Sequence, residues 1–266
     1  MPVDWESLPT EELLDVRMCE LGLTVTDTWL EDCVHRLREE LDDAGLRRFR
    51  VHTWLSDEWC SPDQVPGVGI PFYLAHPRLI RLERHMMFEV EGGTRAECMR
   101  LLRHEAGHAL QHAYNLQRRK LWQRAFGKAS DPYPDFYRPN PLSKGFVEHL
   151  DGWYAQAHPV EDFAETFAVW LAPRSNWRTQ YASSTALGKL EYIDSLAEDL
   201  SDKKPQVSSR ARPYSLPQLR HTLRRHYERR QEHYSPGFSD EYDRDLLKIF
   251  SDSARYRNNE TAASFL

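Results

Sequence analysis

Residues 94–117 constrain the fold most, because they combine a helix start signal with two histidines at helical spacing. Thr94 followed three residues later by Glu97 is a capping box, in which each side chain satisfies a backbone N–H group of the other residue. Within the helix that this start predicts, residues His104–His108 read HEAGH, an HExxH motif. The chain is therefore expected to place two imidazoles on one face of a single helix.

This spacing suits a metal ion, because residues i and i+4 lie one turn apart and both imidazoles can converge on it. Glu105 follows the first histidine and can take a proton from a metal-bound water. Zinc lowers the pKa of such a water towards ~7, so hydroxide becomes available at neutral pH. We therefore predict His104 and His108 as zinc ligands and Glu105 as the general base. The alternative is a helix with two ordinary histidines.

A third zinc ligand has three candidate sources in the sequence. A metzincin-type continuation needs glycine at position 111 and histidine at position 114, where this chain has Gln111 and Tyr114. His112 continues the i+4 series, but it lies two turns from His104 and is too far away to share one tetrahedral ion. The remaining source is a carboxylate from another helix.

Residues 159–171 predict that helix, since Pro159 suits a first helical turn and the helix must stop before Pro173. The apolar residues form a continuous i, i+3, i+4 stripe, so this helix should pack on a core. Glu161 and Glu165 flank the stripe, where a carboxylate is costly unless it is paired or bound to metal. We expect Glu161 to bind zinc and Glu165 to hydrogen-bond a ligand histidine. Two half-exposed glutamates on an amphipathic helix are the alternative.

Composition excludes several classes of protein. The 266 residues suffice for a substantial core, and 35 basic against 41 acidic side chains give a net charge of −6, which argues against a dedicated nucleic-acid binder. No apolar run approaches the roughly 18 residues that span a bilayer, and the first residues do not resemble a signal peptide. We therefore expect a cytoplasmic protein without a membrane partner. The four cysteines form no CxxC pair and are expected to be reduced thiols.

The order of predicted elements favours an α+β fold, with a small, mostly antiparallel sheet packed on the helix of residues 94–117 and a mainly helical C-terminal half. Two helices are expected within residues 10–45. Extended segments are expected within residues 47–55 and 79–90. A further helix is expected over residues 184–200.

A polar linker that begins at residue 201 suggests a boundary. We expect one domain over residues 1–200, with a helical N-terminal segment at residues 1–46, and a charged helical extension over residues 201–266. The sequence leaves open whether the extension packs on that domain. Its helices are expected at residues 215–234 and 239–250, the first of which carries Arg220, Arg224, Arg225, Arg229 and Arg230. Such a charge run usually marks a solvated face, so nucleic-acid binding is the less favoured interpretation.

Three further segments resemble a bacterial family of zinc-binding metallopeptidases: residues 54–59 (WLSDEW), 71–79 (PFYLAHPRL) and 161–168 (EDFAETFA). With its HExxH helix and distal glutamate, the chain looks like a gluzincin. The resemblance covers about residues 45–200 and implies a zincin-like domain, a zinc cofactor and a peptide or protein substrate. It also implies that extended substrate adds to the strand expected to end at Val90.

The helix of residues 159–171 also resembles one in the peptidase domain of anthrax lethal factor, which carries Glu-x-Phe-Ala-Glu with the first glutamate on zinc. In that domain a tyrosine seven residues earlier stabilises the transition state, and the matching position here is Tyr154. Peptide hydrolysis needs such a donor because negative charge develops on the carbonyl oxygen only in the transition state. His149 and His158 are the alternatives to Tyr154.

Together these features predict a zinc-dependent metallohydrolase of the peptidase type. The hypothesis from a different class is a non-catalytic protein-binding module that zinc stabilises through the same ligands. The aromatic loop of residues 132–141, which contains Tyr133, Phe136 and Tyr137, would line a specificity pocket or pack as an ordinary surface loop.

Overall fold

The structure is a computed structural model that describes residues 4–134 and 137–234. Over these residues the chain is mainly helical and contains one two-stranded sheet, which agrees with the expected α+β class. The helices are α1 Thr10–Leu14, α2 Trp29–Asp43, α3 Pro77–Met87, α4 Arg95–Tyr114, α5 Lys120–Phe126, α6 Pro159–Leu171, α7 Trp177–Gln180, α8 Leu187–Leu200 and α9 Leu223–Tyr234; the strands are β1 His52–Ser56 and β2 Gly67–Pro71.

The two strands run parallel, with His52 opposite Gly67 and Ser56 opposite Pro71, so the prediction of a mostly antiparallel sheet is wrong. The connection of residues 57–66 is too long for a two-residue hairpin, and it carries the chain back beside the start of β1. Among the described residues, antiparallel pairing is limited to isolated bridges, such as the one between Cys60 in this connection and Gly69.

The prediction of an extended segment over residues 79–90 is also wrong, because α3 occupies most of these residues. The His76 side chain accepts a backbone N–H at the start of α3, and Pro77 stands at its first position, where its missing N–H costs nothing. Leu79 and Leu82 then lie one turn apart and are buried. These helical signals outweigh the aliphatic run that suggested a strand.

A loop follows α3 and leads into α4. Phe88 begins it with φ 65°, in the left-handed region, and its side chain is 92% exposed. Val90 lies in this loop rather than at the end of a strand, so the expectation that substrate adds to a strand there is wrong.

The two helices that were expected to carry the site form as predicted. The Thr94 side chain accepts the N–H of Glu97 while Glu97 accepts the N–H of Thr94, which confirms the capping box. Asn115, in a left-handed conformation, caps the C-terminal end of α4. His158 caps α6 and Pro159 occupies its first turn. The two helices pack directly on each other in the centre of the molecule.

Residues 201–234, which follow α8, lie against the elements that precede them. The backbone N–H groups of Gln206 and Val207 both donate to the carbonyl of Ala113 in α4. Leu223 and Tyr227 of α9 are fully buried in the main hydrophobic core. The helix expected over residues 215–234 begins later than predicted, at Leu223. The helix expected over residues 239–250 lies outside the described residues.

Most arginines of the expected basic segment are engaged in ion pairs. Arg224 contacts Glu11 and Asp15 of the N-terminal segment, while Arg230 contacts Glu58 and the fully buried Glu83. These pairs hold α9 against α3 and the N-terminal segment. Across the described ranges no helix is both long and apolar enough to cross a membrane.

Candidate metal centre

His104 and His108 lie on one face of α4, as their spacing predicts. Their Nε2 atoms are 3.1 Å apart. His104 is 3% exposed and the side chain of His108 is 13% exposed. Both rings therefore turn away from bulk water towards a common point.

Glu161 on α6 completes a triangle of donor atoms. Its Oε2 atom lies 3.2 Å from Nε2 of His104 and 3.2 Å from Nε2 of His108. Zinc bonds of about 2.0 Å in tetrahedral geometry separate neighbouring donor atoms by about 3.3 Å. The three side chains thus form the one group of His, Cys, Asp and Glu in the described chain with the spacing of a metal site.

Close packing of α4 on α6 brings these residues together. A Cβ atom at Gly107 would lie 2.9 Å from Cα of Ala164 and 3.3 Å from its carbonyl oxygen. Only glycine lets the two backbones approach this closely. Because Ala164 lies between Glu161 and Glu165, this contact also determines how far both carboxylates reach towards α4.

Glu165 holds His104 in a fixed orientation. Its Oε1 atom lies 2.8 Å from Nδ1 of His104, and its Oε2 atom accepts the N–H of Leu150 at 2.8 Å. Glu165 is fully buried. With Nδ1 directed at Glu165, Nε2 is the ring nitrogen of His104 that faces Glu161, which is the arrangement that suits a metal ligand.

The electrostatics of the triangle also fit a cation. Burial by itself lowers the pKa of His104, but hydrogen bonds to Glu161 and Glu165 outweigh it and raise the pKa to about 10. Burial raises the pKa of Glu161, but His108 and His104 outweigh it and lower the pKa well below its usual range. In both cases positive charge at the centre of the triangle is favoured, and zinc supplies such charge.

Glu105 lies beside the triangle in the same cleft. It is 8% exposed, and its Oε2 atom has no hydrogen-bond partner among the described residues. Burial raises its pKa, while the charges of His108 and His104 act in the opposite direction. A buried carboxylate oxygen without a partner is free to accept a proton from a bound molecule.

Tyr154 also borders the triangle, with its ring centroid 5.8 Å from that of His104. Burial and the nearby carboxylates, Glu161 first among them, raise its pKa. His149 and His158, the alternatives to Tyr154 as the oxyanion donor, are already engaged with backbone carbonyls. Nε2 of His149 lies 3.0 Å from the carbonyl oxygen of Arg100, and Nε2 of His158 lies 2.8 Å from that of Asp131.

One contact was missed by the sequence analysis. The Tyr133 hydroxyl donates to Oε1 of Glu161 at 2.7 Å, and the Tyr133 ring stacks on His158 with centroids 3.8 Å apart. The only sequence signal was the aromatic loop itself, which gave no partner for any of its rings. Within that loop Tyr137 donates to the carbonyl of Gly152, and Phe136 lies outside the described residues.

His112 stands apart from the triangle, as expected from its position two turns beyond His104. Its Nδ1 atom lies 3.3 Å from Asp63 on the connection between β1 and β2. Burial lowers the pKa of His112. It therefore remains neutral at neutral pH.

Comparison with known proteins agrees with this geometry. Residues 96–233, slightly more than half of the chain, match the model of a family described as "putative zinc-binding metallo-peptidase". The chain belongs to that family. The matched segment contains α4 and α6 with all three donor residues, and the family resemblance predicted from the sequence is confirmed. No curated protein and no solved structure matches the chain.

The donor triangle lies on the floor of a cleft of about 1120 Å³. The loop after α3 and the first turns of α4 line one part of the cleft. The connection between β1 and β2 and the segments around Tyr133 and Tyr154 line other parts. The cleft is large enough for several residues of a peptide.

Proposed function

We propose that this protein is a zinc-dependent peptidase that hydrolyses peptide bonds of substrates bound in the cleft. The observation that carries the proposal is the convergence of two imidazole nitrogens and one carboxylate oxygen beside a buried carboxylate without a partner. Membership of the metallopeptidase family supports the same reaction class.

In this proposal His104, His108 and Glu161 hold the zinc ion. Two imidazoles and one carboxylate are a donor set typical of catalytic zinc, which keeps a further position for water or substrate. Zinc bound there lowers the pKa of a water and polarises the substrate carbonyl. The contact between Glu165 and His104 orients the imidazole and increases its basicity.

Glu105 acts as general base and then as general acid. Its Oε2 atom takes a proton from the attacking water, and the raised pKa of the carboxyl group makes it able to hold that proton. The same oxygen then gives the proton to the amine that leaves. Burial of Glu105 keeps bulk water from exchanging the proton between the two steps.

Tyr154 stabilises the oxyanion that forms when the carbonyl is attacked. Its hydroxyl group makes no hydrogen bond within the described part of the chain, so it can donate to a substrate oxygen. The engagement of His149 and His158 with backbone carbonyls supports Tyr154 over these two histidines.

A peptide-library cleavage assay with Glu105→Gln tests the proposal. We expect the wild-type protein to cleave and Glu105→Gln to retain its zinc while losing at least about 100-fold in rate. Glu191→Gln is the matched control, since Glu191 is exposed on α8, away from the cleft, and should leave the rate unchanged. Equal cleavage by Glu105→Gln and wild type would contradict the mechanism.

The same assay separates the peptidase from a zinc-stabilised binding module. A module predicts that chelation lowers the melting temperature while no peptide is cleaved. That result would replace the proposed function with the non-catalytic alternative.

A further inference from the structure

We propose that the cleft selects polypeptide segments rich in lysine and arginine and that Gln111 binds their backbone. This inference rests on the proposed peptidase function and names its substrate class. Two independent features of the described residues carry it: unpaired carboxylates around the cleft, and a buried amide without a partner inside it.

The cleft wall nearest the first turns of α4 is acidic. Glu89 and Glu91 in the loop after α3 and Glu97 in the first turn of α4 are exposed. None of the three has an ion pair among the residues that the structure describes.

Two of the arginines along the cleft are paired with carboxylates outside this wall. Arg100 lies 3.5 Å from Asp151, and Arg230 lies 3.3 Å from Glu58, so each offsets a different carboxylate of the lining. Arg84 also lines the cleft, but it is a single charge against three.

The connection between β1 and β2 adds a further carboxylate to the cleft lining. Asp63 has a 79% exposed side chain, and its ionic neighbour His112 stays neutral because burial lowers the pKa of that histidine. A bound zinc ion offsets the charges of Glu105 and Glu161 but none of these peripheral groups. The negative potential of the cleft therefore persists in the zinc-loaded protein and favours a cationic ligand.

The Gln111 side chain indicates that the cationic ligand is a polypeptide rather than an isolated cation. It is 3% exposed, lines the cleft one turn beyond His108, and its Oε1 atom has no hydrogen-bond partner in the described chain. A buried amide oxygen without a partner is energetically unfavourable, so a ligand that supplies the missing donor gains affinity. A primary amide can accept a backbone N–H and donate to a backbone carbonyl, which is the pair of groups that an extended peptide offers.

Binding to the inactive Glu105→Gln protein tests the inference without turnover. The probes are two fluorescein-labelled random peptide pools of equal length, one rich in lysine and arginine and one rich in aspartate and glutamate. We expect the cationic pool to bind about tenfold more tightly at low ionic strength, measured by fluorescence anisotropy, and salt to weaken that preference.

Two triple variants that remove the same number of negative charges, both made in the Glu105→Gln protein, show which carboxylates cause the preference for the cationic pool. Glu89→Gln/Glu91→Gln/Glu97→Gln should weaken binding of the cationic pool about tenfold, while glutamine at position 97 preserves the capping box. The control is Glu12→Gln/Glu39→Gln/Glu191→Gln, at exposed positions outside the cleft lining, and should bind as the parent does. Equal affinities of the two triple variants, no preference between the pools, or no binding of either pool would overturn the charge selection.

Gln111→Met tests the backbone contact. This variant should weaken binding of both pools about fivefold, because the contact does not depend on side-chain charge. Its melting temperature should be equal or higher, since the buried unpaired oxygen is removed. Parental affinity for both pools would overturn the role of Gln111.

Cleavage of the same pools by the wild-type protein separates this inference from the proposed function. Charge-selective binding without any cleavage would contradict the peptidase but not the inference. If the same Glu89/Glu91/Glu97 triple substitution in the wild-type background left cleavage unaffected, that result would contradict the inference but not the peptidase.

Discussion

At the scale of single residues, two of the candidate zinc ligands are each held by a second side chain. His104 is fixed through its Nδ1 atom by Glu165, and Glu161 is fixed through its Oε1 atom by Tyr133. In each case the contact leaves the other atom of the ligand pointing into the triangle. Such contacts pre-organise a metal site because they lower the conformational freedom that binding must remove.

Removing the Tyr133 hydroxyl should weaken zinc binding. For Tyr133→Phe we expect the zinc dissociation constant to rise roughly tenfold, because Glu161 loses the contact that orients it. A competition titration with a fluorescent chelator measures the constant. Tyr137→Phe, which loses a hydrogen bond to Gly152 in the same loop, should bind zinc as the wild type does. Equal affinities of the wild type and Tyr133→Phe would contradict the positioning role.

The burial of His226 leads us to expect that the stability of the fold depends on pH. It is 4% exposed and lies edge-on to the rings of Phe72 and Tyr227, and burial together with the charge of Arg230 lowers its pKa to about 3 from an ordinary 6.5. Between these two values the unfolded chain binds the proton and the folded chain does not. The stability that His226 contributes is therefore present above pH 6.5 and is lost as the pH falls towards 3.

His226→Leu removes this titration, so its free energy of unfolding should fall less steeply than that of the wild type between pH 6.5 and pH 4. Urea unfolding at several pH values measures the slope. His35→Leu serves as the control, because the side chain of His35 is 62% exposed on α2 and should leave the slope unchanged. A slope for His226→Leu equal to that of the wild type would show that His226 is not the titrating group.

At the scale of elements, the site depends on how closely α4 and α6 approach. Each helix could be predicted, because its start signals are local: a capping box for α4 and a proline in the first turn for α6. The pairing of the two helices could be inferred only from the chemistry of zinc, which needs a third ligand. The distance between them depends on Gly107 against Ala164, a contact that no local pattern encodes.

Gly107→Ala should force the two helices apart. The added Cβ atom meets backbone rather than a flexible side chain, so we expect a loss of stability of about 1–3 kcal/mol and a zinc content well below that of the wild type. Thermal unfolding and elemental analysis measure the two effects. Gly188→Ala on α8 meets nothing within 4 Å and should keep its zinc and melt at the same or a higher temperature. Full zinc occupancy in Gly107→Ala would contradict this dependence.

The elements that the sequence predicted wrongly have non-local or competing causes. The strand direction in the sheet depends on the path of residues 57–66, which the side-chain pattern of β1 and β2 does not specify. In α3 the spacing of the aliphatic residues fits both a strand and a helix. The His76 cap and Pro77 in the first turn favour the helix. The contact of Tyr133 with Glu161 joins residues 28 positions apart across a loop, so it leaves no trace in local spacing.

At the scale of the whole molecule, the cleft concentrates features that are dispersed along the chain. Donors 53 positions apart meet on its floor, and its walls come from the N-terminal half, the α4 region and α9. Cys60 also lines the cleft and is an alternative zinc ligand by residue type. Burial raises the pKa of its thiol to about 11, so it remains protonated at neutral pH and is a poor ligand.

Zinc K-edge X-ray absorption of the purified, zinc-loaded protein tests the ligand set most directly. The predicted spectrum contains only nitrogen and oxygen neighbours at about 2.0–2.2 Å, with the outer-shell scattering of two imidazoles. A sulfur neighbour at about 2.3 Å, or a first shell without imidazole, would contradict the assignment of zinc to His104, His108 and Glu161.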